Sequence, residues 1–532
     1  EQLSLNYQSE KLNLFGSLWG YTKWHKEATS LIQHIEGTKN VTVNQYDPLS
    51  YRNTMGEVNF GFNYDLNDEN SIGASYDLEC EPYAKGHVDG QQEIFNEGHP
   101  VDVIKQKALV DDIGGPTHEL NAYYVGKVNK LGIDFNGTYL WQKTGRDMLE
   151  TEEATVLENR EIHTASRRHN QLLAGKLVLS YPIAKGQLEL GSEVSHTHSS
   201  GEYSNAEGIV ADASTDMKEN NWAGFLAFSY PLGSFSMDAG LRYEYVSAKY
   251  YSFGKYEEEP SRNYSNWFPN LTLSWNKEPW AASLAYTCKT KRPSYSSLRN
   301  EVQYDNRYMY EGGDPYLRPT IAHDVSLDVM CNWISFGVEY LYEDNPIIWY
   351  VTLYNHQDIA FLRNMNFSSK QTMTAYVIAA PKFDWYQPTW QVFFQKPFFD
   401  AEKYGAPRGL SKPALGITWN NKFKLSSTWT SWVTLHANTT SYNAFRRYRS
   451  GYYASMRMVK TFFDEALTVN FYADDIFRSQ KDQWTMYGDH ATLTKDSYNS
   501  AREIGVRVVY KFNSGHKKYK GSGAGNAEKS RF

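Results

Sequence analysis

Apolar and polar residues alternate one by one along much of this chain, and a period of two admits few folds. Between residues 235 and 245 one side carries Phe235, Met237, Ala239, Leu241, Tyr243 and Tyr245. The other side carries Ser236, Asp238, Gly240, Arg242 and Glu244. Ile334, Phe336, Val338, Tyr340 and Tyr342 stand against Ser335, Gly337 and Glu339 in the same way. So do Ile504, Val506, Val508 and Tyr510 against Glu503, Gly505, Arg507 and Lys511. Side chains alternate across a strand, so each segment is a strand with one apolar and one openly polar face.

These segments come in pairs. Tight turns at residues 129–130, 182–186, 231–234, 276–279 and 331–332 alternate with much longer connections, and the turns hold the Pro, Gly, Asn and Asp that tight turns need. The strands read as about ten residues long, enough to cross a bilayer when tilted. Residues 80–117 and 144–170 read as irregular or charged connections. Trp275 and Trp280 flank one turn, and Trp19, Trp24 and Trp141 sit near other strand ends, like interfacial girdles. A large antiparallel transmembrane β-barrel of about 20–22 strands fits all of this, with long extracellular loops and short periplasmic turns. Its domain is residues 1–513, followed by a polar periplasmic tail, residues 514–532. Only a closed wall satisfies every backbone group in lipid, so the first and last strands are expected to meet. Arginine placed at Leu241, Phe336 or Val506 is expected to disturb the wall more than at Ser236 or Gly505. The connections at Asp305 and Ser204 should share one end, and residues 276–277 and 331–332 the other.

Composition narrows the alternatives. No run of eighteen apolar residues exists to form a transmembrane helix. A mean hydropathy of −0.62 does not exclude a barrel, whose strands give weak hydropathy signals. A net charge of −7 with interspersed signs argues against nucleic acid as a partner. Cys80, Cys288 and Cys331 offer neither a disulfide framework nor a zinc pattern. A diffusion porin and a soluble or surface-attached β-rich binding module remain open on these grounds.

The longest connection, between residues 291 and 320, is where function is expected. It carries Tyr304, Tyr308, Tyr310 and Tyr316, which suit stacking on a sugar ring or contact with a peptide, and equally suit packing of one loop on another. His196 and His198 share one strand face and could chelate a metal, but no third ligand is near in sequence. No phosphate loop, H-E-x-x-H or G-x-S-x-G motif is present, and His118-Glu119 cannot complete a zinc pair. No catalytic residue, cofactor or metal is assigned, and no enzyme activity is expected.

Arg292-Pro293-Ser294-Tyr295, Leu298 and Gly313-Asp314-Pro315-Tyr316-Leu317-Arg318-Pro319 resemble a signature of TonB-dependent outer-membrane receptors, with Asp314 where the family usually has Asn. Residues 460–477 and the ending at residues 510–531 resemble late segments of the Bacteroidota outer-membrane β-barrel family, and residues 3–16 resemble its first hairpin. The resemblance implies uptake of a substrate across the outer membrane of a Gram-negative cell. It implies outer-membrane lipid, a plug domain, TonB and a surface lipoprotein as partners. No plug-like sequence precedes Glu1, so the chain is expected to be the barrel portion, lacking a signal peptide and a first strand or two. A lumen this wide holds water or a plug. An unplugged one should conduct strongly unless the 291–320 loop folds inward.

Overall fold

The computed structural model of the chain describes residues 1–512 and 519–532. The wall opens with β1 (Gln2–Gln8), β2 (Leu12–Glu36), β3 (Asn40–Asn67) and β4 (Asn70–Asn96). It continues through β5 (His99–Val128), β6 (Leu131–Ala154), β7 (Arg160–Ile183), β8 (Gly186–Asn205) and β9 (Ala213–Leu232). Next come β10 (Phe235–Ser252), β11 (Lys255–Lys277) and β12 (Trp280–Lys291). The following loop contributes β13 (Val302–Asn306) and β14 (Met309–Gly312) before β15 (Thr320–Cys331) and β16 (Ile334–Asp344) rejoin the wall. Another loop supplies β17 (Ile347–Leu353) and β18 (Ala360–Asn366). The wall then resumes with β19 (Ser369–Ala379), β20 (Tyr386–Phe398), β21 (Ala414–Lys424) and β22 (Trp429–Asn438). The last staves are interrupted. β22 leads to β23 (Ser441–Asn443), and β24 (Arg446–Tyr448) leads into β25 (Gly451–Phe462). β26 (Leu467–Asp474) leads to β27 (Asp482–Tyr487), and β28 (Ala491–Tyr498) into β29 (Glu503–Tyr510).

One sheet holds 25 of these strands, and β13, β14, β18 and β17 form a separate sheet of four. Of the 25, β23, β24, β27 and β28 prolong staves at the long-loop end; the other twenty-one form the wall, each antiparallel to its neighbour. The two ends separate as expected. Asn332 N donates to Pro279 O at one end, and Tyr304 N to the Tyr203 hydroxyl at the other.

The strands are longer than their sequence pattern suggested: β5 runs 30 residues and β3 runs 28. Residues 80–117, read as irregular, are the upper halves of β4 and β5, and residues 144–170 belong largely to β6 and β7. The reason is a change of face. In the lower half the apolar side chains point outward: Leu190, Leu226 and Leu241 stand in register and all are exposed. In the upper half they point inward: Val43, Ile94 and Ile104 are buried, while Glu93, Lys105 and Lys107 face out. Breaks in register between Gly114 and Thr117, and between Thr54 and Gly56, lie near the changeover. An aromatic belt of His118, Trp141, His169 and His198 runs outside it, with ring centroids 5.3–6.5 Å apart. Trp141 is therefore a mid-strand girdle residue and not a strand end.

Among the described residues no ladder joins β1 to β29. The ring closes instead where β28 pairs with the upper half of β2, from Ala28 against Tyr498 to Ile35 against Ala491. Both β1 and β29 run from mid-wall toward the short-turn end, so they lie in the same direction, and an antiparallel wall cannot join them directly. The expectation that the first and last strands meet is thus corrected by one strand. Residues 513–518, including the proposed boundary after 513 and part of the C-terminal motif, lie outside the described residues.

Leu241 is exposed at mid-height, so Leu241→Arg should lower bilayer stability by about 2–4 kcal/mol, while Ser236→Arg on the opposite face should cost less. Phe336, close to the turn at Asn332, should fall between them because the cost declines toward the interface. Gly505 is no fair lumen control, since a Cβ there would meet the Tyr472 hydroxyl and ring within 3 Å. Denaturant titration in lipid vesicles measures the three costs, and equal losses at Leu241 and Ser236 would contradict the facing.

Candidate functional site: the mouth and the lumen

The small sheet is built from two loops and sits inside the wall's upper end. Val302 of β13 pairs with Gly312 of β14, Met309 of β14 runs parallel with Ala360 of β18, and β18 pairs with β17. Its polar contacts reach three staves. The Tyr304 hydroxyl donates to Glu152 of β6 at 2.7 Å, Asn306 Nδ2 to Gln45 of β3 at 2.9 Å, and Tyr304 N to Tyr203 of β8 at 3.4 Å. Arg307 pairs with Glu152, and both are buried. Met309, Tyr350, Val351, Leu362 and Phe367 pack with wall residues Ile35, Val43, Ile94 and Ile104 and with Phe399 and Phe445 of later loops. The inward apolar face of the upper wall therefore has its partner in these loops. Burying that surface offsets the ordering of long loops. The loop does fold inward.

This placement decides what the four tyrosines touch. Tyr304 and Tyr310 are buried with Ile162, Tyr203 and Phe361, their ring centroids 5.7 Å apart. Tyr308 is half-buried against the larger apolar cluster. Tyr316 is exposed, apart from the other three, with its backbone N–H donating to Asp314 Oδ1 at 2.9 Å. His196 bonds Asn220 at 2.8 Å and His198 bonds Asp216 at 2.5 Å. Among the described residues no group of three His, Cys, Asp or Glu is arranged to hold a metal.

Lower in the lumen, two segments singled out in the sequence come together. Residues 519–532 run along the inner wall. Lys520 pairs with Asp65 at 2.8 Å, Ser522 N and Ala524 N donate to Asn136 and Thr138, and Gly525 N to Glu193. Gly525 must be small: a Cβ there would meet Ala174 Cβ at 2.7 Å, and its φ is +67°. A single helical turn, α1 (Asn526–Lys529), follows. Lys529 pairs with Glu119 at 2.7 Å. Glu528 then accepts from Arg292 at 2.8 Å, a contact across 236 residues, and from Asn221 at 2.9 Å. Arg531 makes a fork to Glu219, its Nη2 at 3.1 Å from Oε2, and its Nε donates to Pro293 O at 2.9 Å. Tyr295 N donates to Arg531 O at 3.0 Å, Arg531 lies over the Tyr295 ring at 4.1 Å, and Phe532 stacks on the same ring.

The charges at this junction are compensated. The Arg531 and Glu219 side chains are each only 6% exposed. Burial draws the Arg531 pKa down, but Tyr295 and Glu219 beside it more than restore it, and it stands above its ordinary value. Arg292 bridges Glu528 and Glu244, and Arg242 bridges Glu244 and Glu193. Removing one partner from such a buried pair costs about 3–5 kcal/mol, because the other is left uncompensated. Only about 40 Å³ of open space remains beside Tyr264, Tyr295, Leu298 and Arg531. Nothing in the local sequence marked Glu219 or Glu152 for these roles; each is one acid among many on alternating strands.

Residues 126–510, more than half of the chain, match the outer membrane protein beta-barrel family. The chain belongs to that family. It is an outer-membrane barrel of the Gram-negative type. Among solved structures it is similar to the copper transporter OprC, with a TM-score of 0.56 at 10% identity over 90% of this chain and 81% of that one. It is also similar to the ferric citrate transporter FecA in its unliganded form, with a TM-score of 0.50 at 12% identity over 90% and 78%. The siderophore receptor PirA from Acinetobacter baumannii gives a TM-score of 0.50 at 9% identity over 90% and 80%. Identities this low speak to the fold alone. No curated protein sequence matches the chain.

Several acids at the mouth are held above their ordinary range by burial, Asp47, Glu150 and Glu311 among them, and Asp305 lies in the hairpin itself. Desolvation, then the nearby Glu311 and Asp47, raise the Asp305 pKa from its ordinary 3.8 to about 8. A folded-state pKa above the unfolded one favours the protonated form, so this contribution to docking of the hairpin is complete below about pH 4 and lost as pH rises through about 8. Opening events recorded in planar bilayers should become more frequent from pH 5 to pH 9, and Asp305→Asn should flatten that rise. An unchanged pH response in the variant would remove Asp305 as its cause.

Proposed function

We propose that this barrel belongs to a receptor that carries a scarce or bulky nutrient across the outer membrane, without chemical change, together with a plug domain and TonB. The observation that carries this reading is the folded sheet in the mouth: β13, β14, β17 and β18 reach several staves, so passage requires an element to move. A diffusion porin has no use for such a closure. The names of the similar folds, copper and ferric citrate transporters and a siderophore receptor, support uptake as the class of activity. In this reading the exposed Tyr316 meets the ligand first, and Tyr304, Tyr308 and Tyr310 become available only when the hairpin lifts. A surface lipoprotein would dock on the same extracellular loops.

The test is competitive growth and labelled-nutrient uptake in a Gram-negative host that makes the protein with its native neighbours. Uptake should saturate, and it should fall at least about tenfold when TonB is removed, as expected when gating and not diffusion sets the rate. Uptake proportional to concentration and indifferent to TonB would favour the porin.

A further inference from the structure

We propose that the inner wall of β3–β9, with the Arg292–Leu298 turn, is a peptide-recognition groove whose resident occupant is the chain's own segment 519–532, and that its occupancy holds the extracellular mouth in place. The inference stands on lumen geometry and does not depend on uptake being the activity.

The groove has the features of a built site. It reads backbone as well as side chains: Asn136, Thr138 and Glu193 accept from successive N–H groups of residues 522–525. It reads charge in a fixed order: Asp65 takes Lys520, Glu119 takes Lys529, Arg292 takes Glu528, and Glu219 takes Arg531. It reads the end aromatically, with Phe532 on Tyr295 and Tyr519 against Tyr123 at 5.0 Å. Small residues are required where the segment presses on the wall at Leu172 and Ala174. A peptide matching this pattern in sequence and spacing is a specific ligand; a peptide with one charge reversed is not.

The groove is wired to the mouth through one short stretch of chain. Arg292, Pro293 and Tyr295 contact the segment directly. Next along the chain, Ser297 O accepts from Asp314 N at 2.7 Å, and Gly313 lies so close to Arg299 O that a Cβ would sit 2.2 Å from it. These contacts clamp both roots of the β13–β14 hairpin. Arg299 is buried in that clamp, its pKa drawn down to about 10 by burial and then by Arg168. Losing the segment from the groove takes Glu528 from Arg292, leaving it Glu244 alone, removes the acceptor of the Tyr295 N–H and the ring and cation on its side chain, and so loosens the hairpin's base. A signal at the periplasmic end of the segment would thereby reach the extracellular mouth.

The experiment uses the full chain in nanodiscs and amide hydrogen exchange, with a double variant Glu528→Ala/Arg531→Ala, whose changes lie in the segment and alter no wall residue. Heat-modifiable gel mobility verifies the folded barrel. Exchange at the Tyr295 amide and across residues 302–312 should accelerate by about tenfold or more, since protection there reflects local opening. A synthetic peptide of residues 519–532 added in excess should restore slow exchange in the variant, and the same peptide carrying Arg531→Glu should not. Unchanged exchange in the variant, or faster exchange that the native peptide does not reverse, would overturn the groove. Faster exchange at Tyr295 with none at residues 302–312 would overturn the link to the mouth.

Discussion

Inside the hydrocarbon layer a backbone N–H or C=O finds no water, and the wall's construction follows from that one fact. Staves bond one another in antiparallel ladders, which sends alternate side chains to lipid and to lumen, and the ring is completed by β28 against the upper half of β2. Leu273, Leu284 and Leu327 keep that register across three staves and all face outward. No helix among the described residues is long and apolar enough to cross a membrane, and with such staves none is needed.

Above the lipid the constraint reverses. Water now surrounds the outer face, so Glu93, Lys105 and Lys107 stand outside and Ile94 and Ile104 turn in. An inward apolar face needs something to cover it, and the long loops do so as a small sheet with its own core. The lumen below is polar, and residues 519–532 pair there with Asp65, Glu119, Glu219 and Arg292. The barrel is thus filled at two levels by its own chain, by hydrophobic packing at the mouth and by paired charges beneath. The Arg292–Leu298 turn touches both fillings.

How much of this was legible in the sequence depends on height. In the lower wall, strict alternation around Leu241, Phe336 and Val506 gave the facing of each side chain. In the upper wall the apolar face changes sides near register breaks such as that between Gly114 and Thr117, so the period loses phase and the hairpin tip at Glu97-Gly98 read as irregular chain. The tyrosine loop was recognisable as special, but whether its rings met a ligand or each other depended on Glu152, Gln45 and Tyr203, residues from three distant staves. The Arg292–Tyr295 and 525–531 motifs were each visible alone. That they meet is a property of the closed wall, which a single sequence does not display.

A wide lumen is closed here by its own loops. Single-channel recording of the protein in planar bilayers, before and after excision of residues 304–312, tests it most directly. The intact chain should give little conductance at neutral pH and a clearly larger, weakly selective conductance once the hairpin is gone, because the wall encloses a lumen too wide for its side chains to fill. Large conductance from the intact chain that the excision leaves unchanged would contradict it.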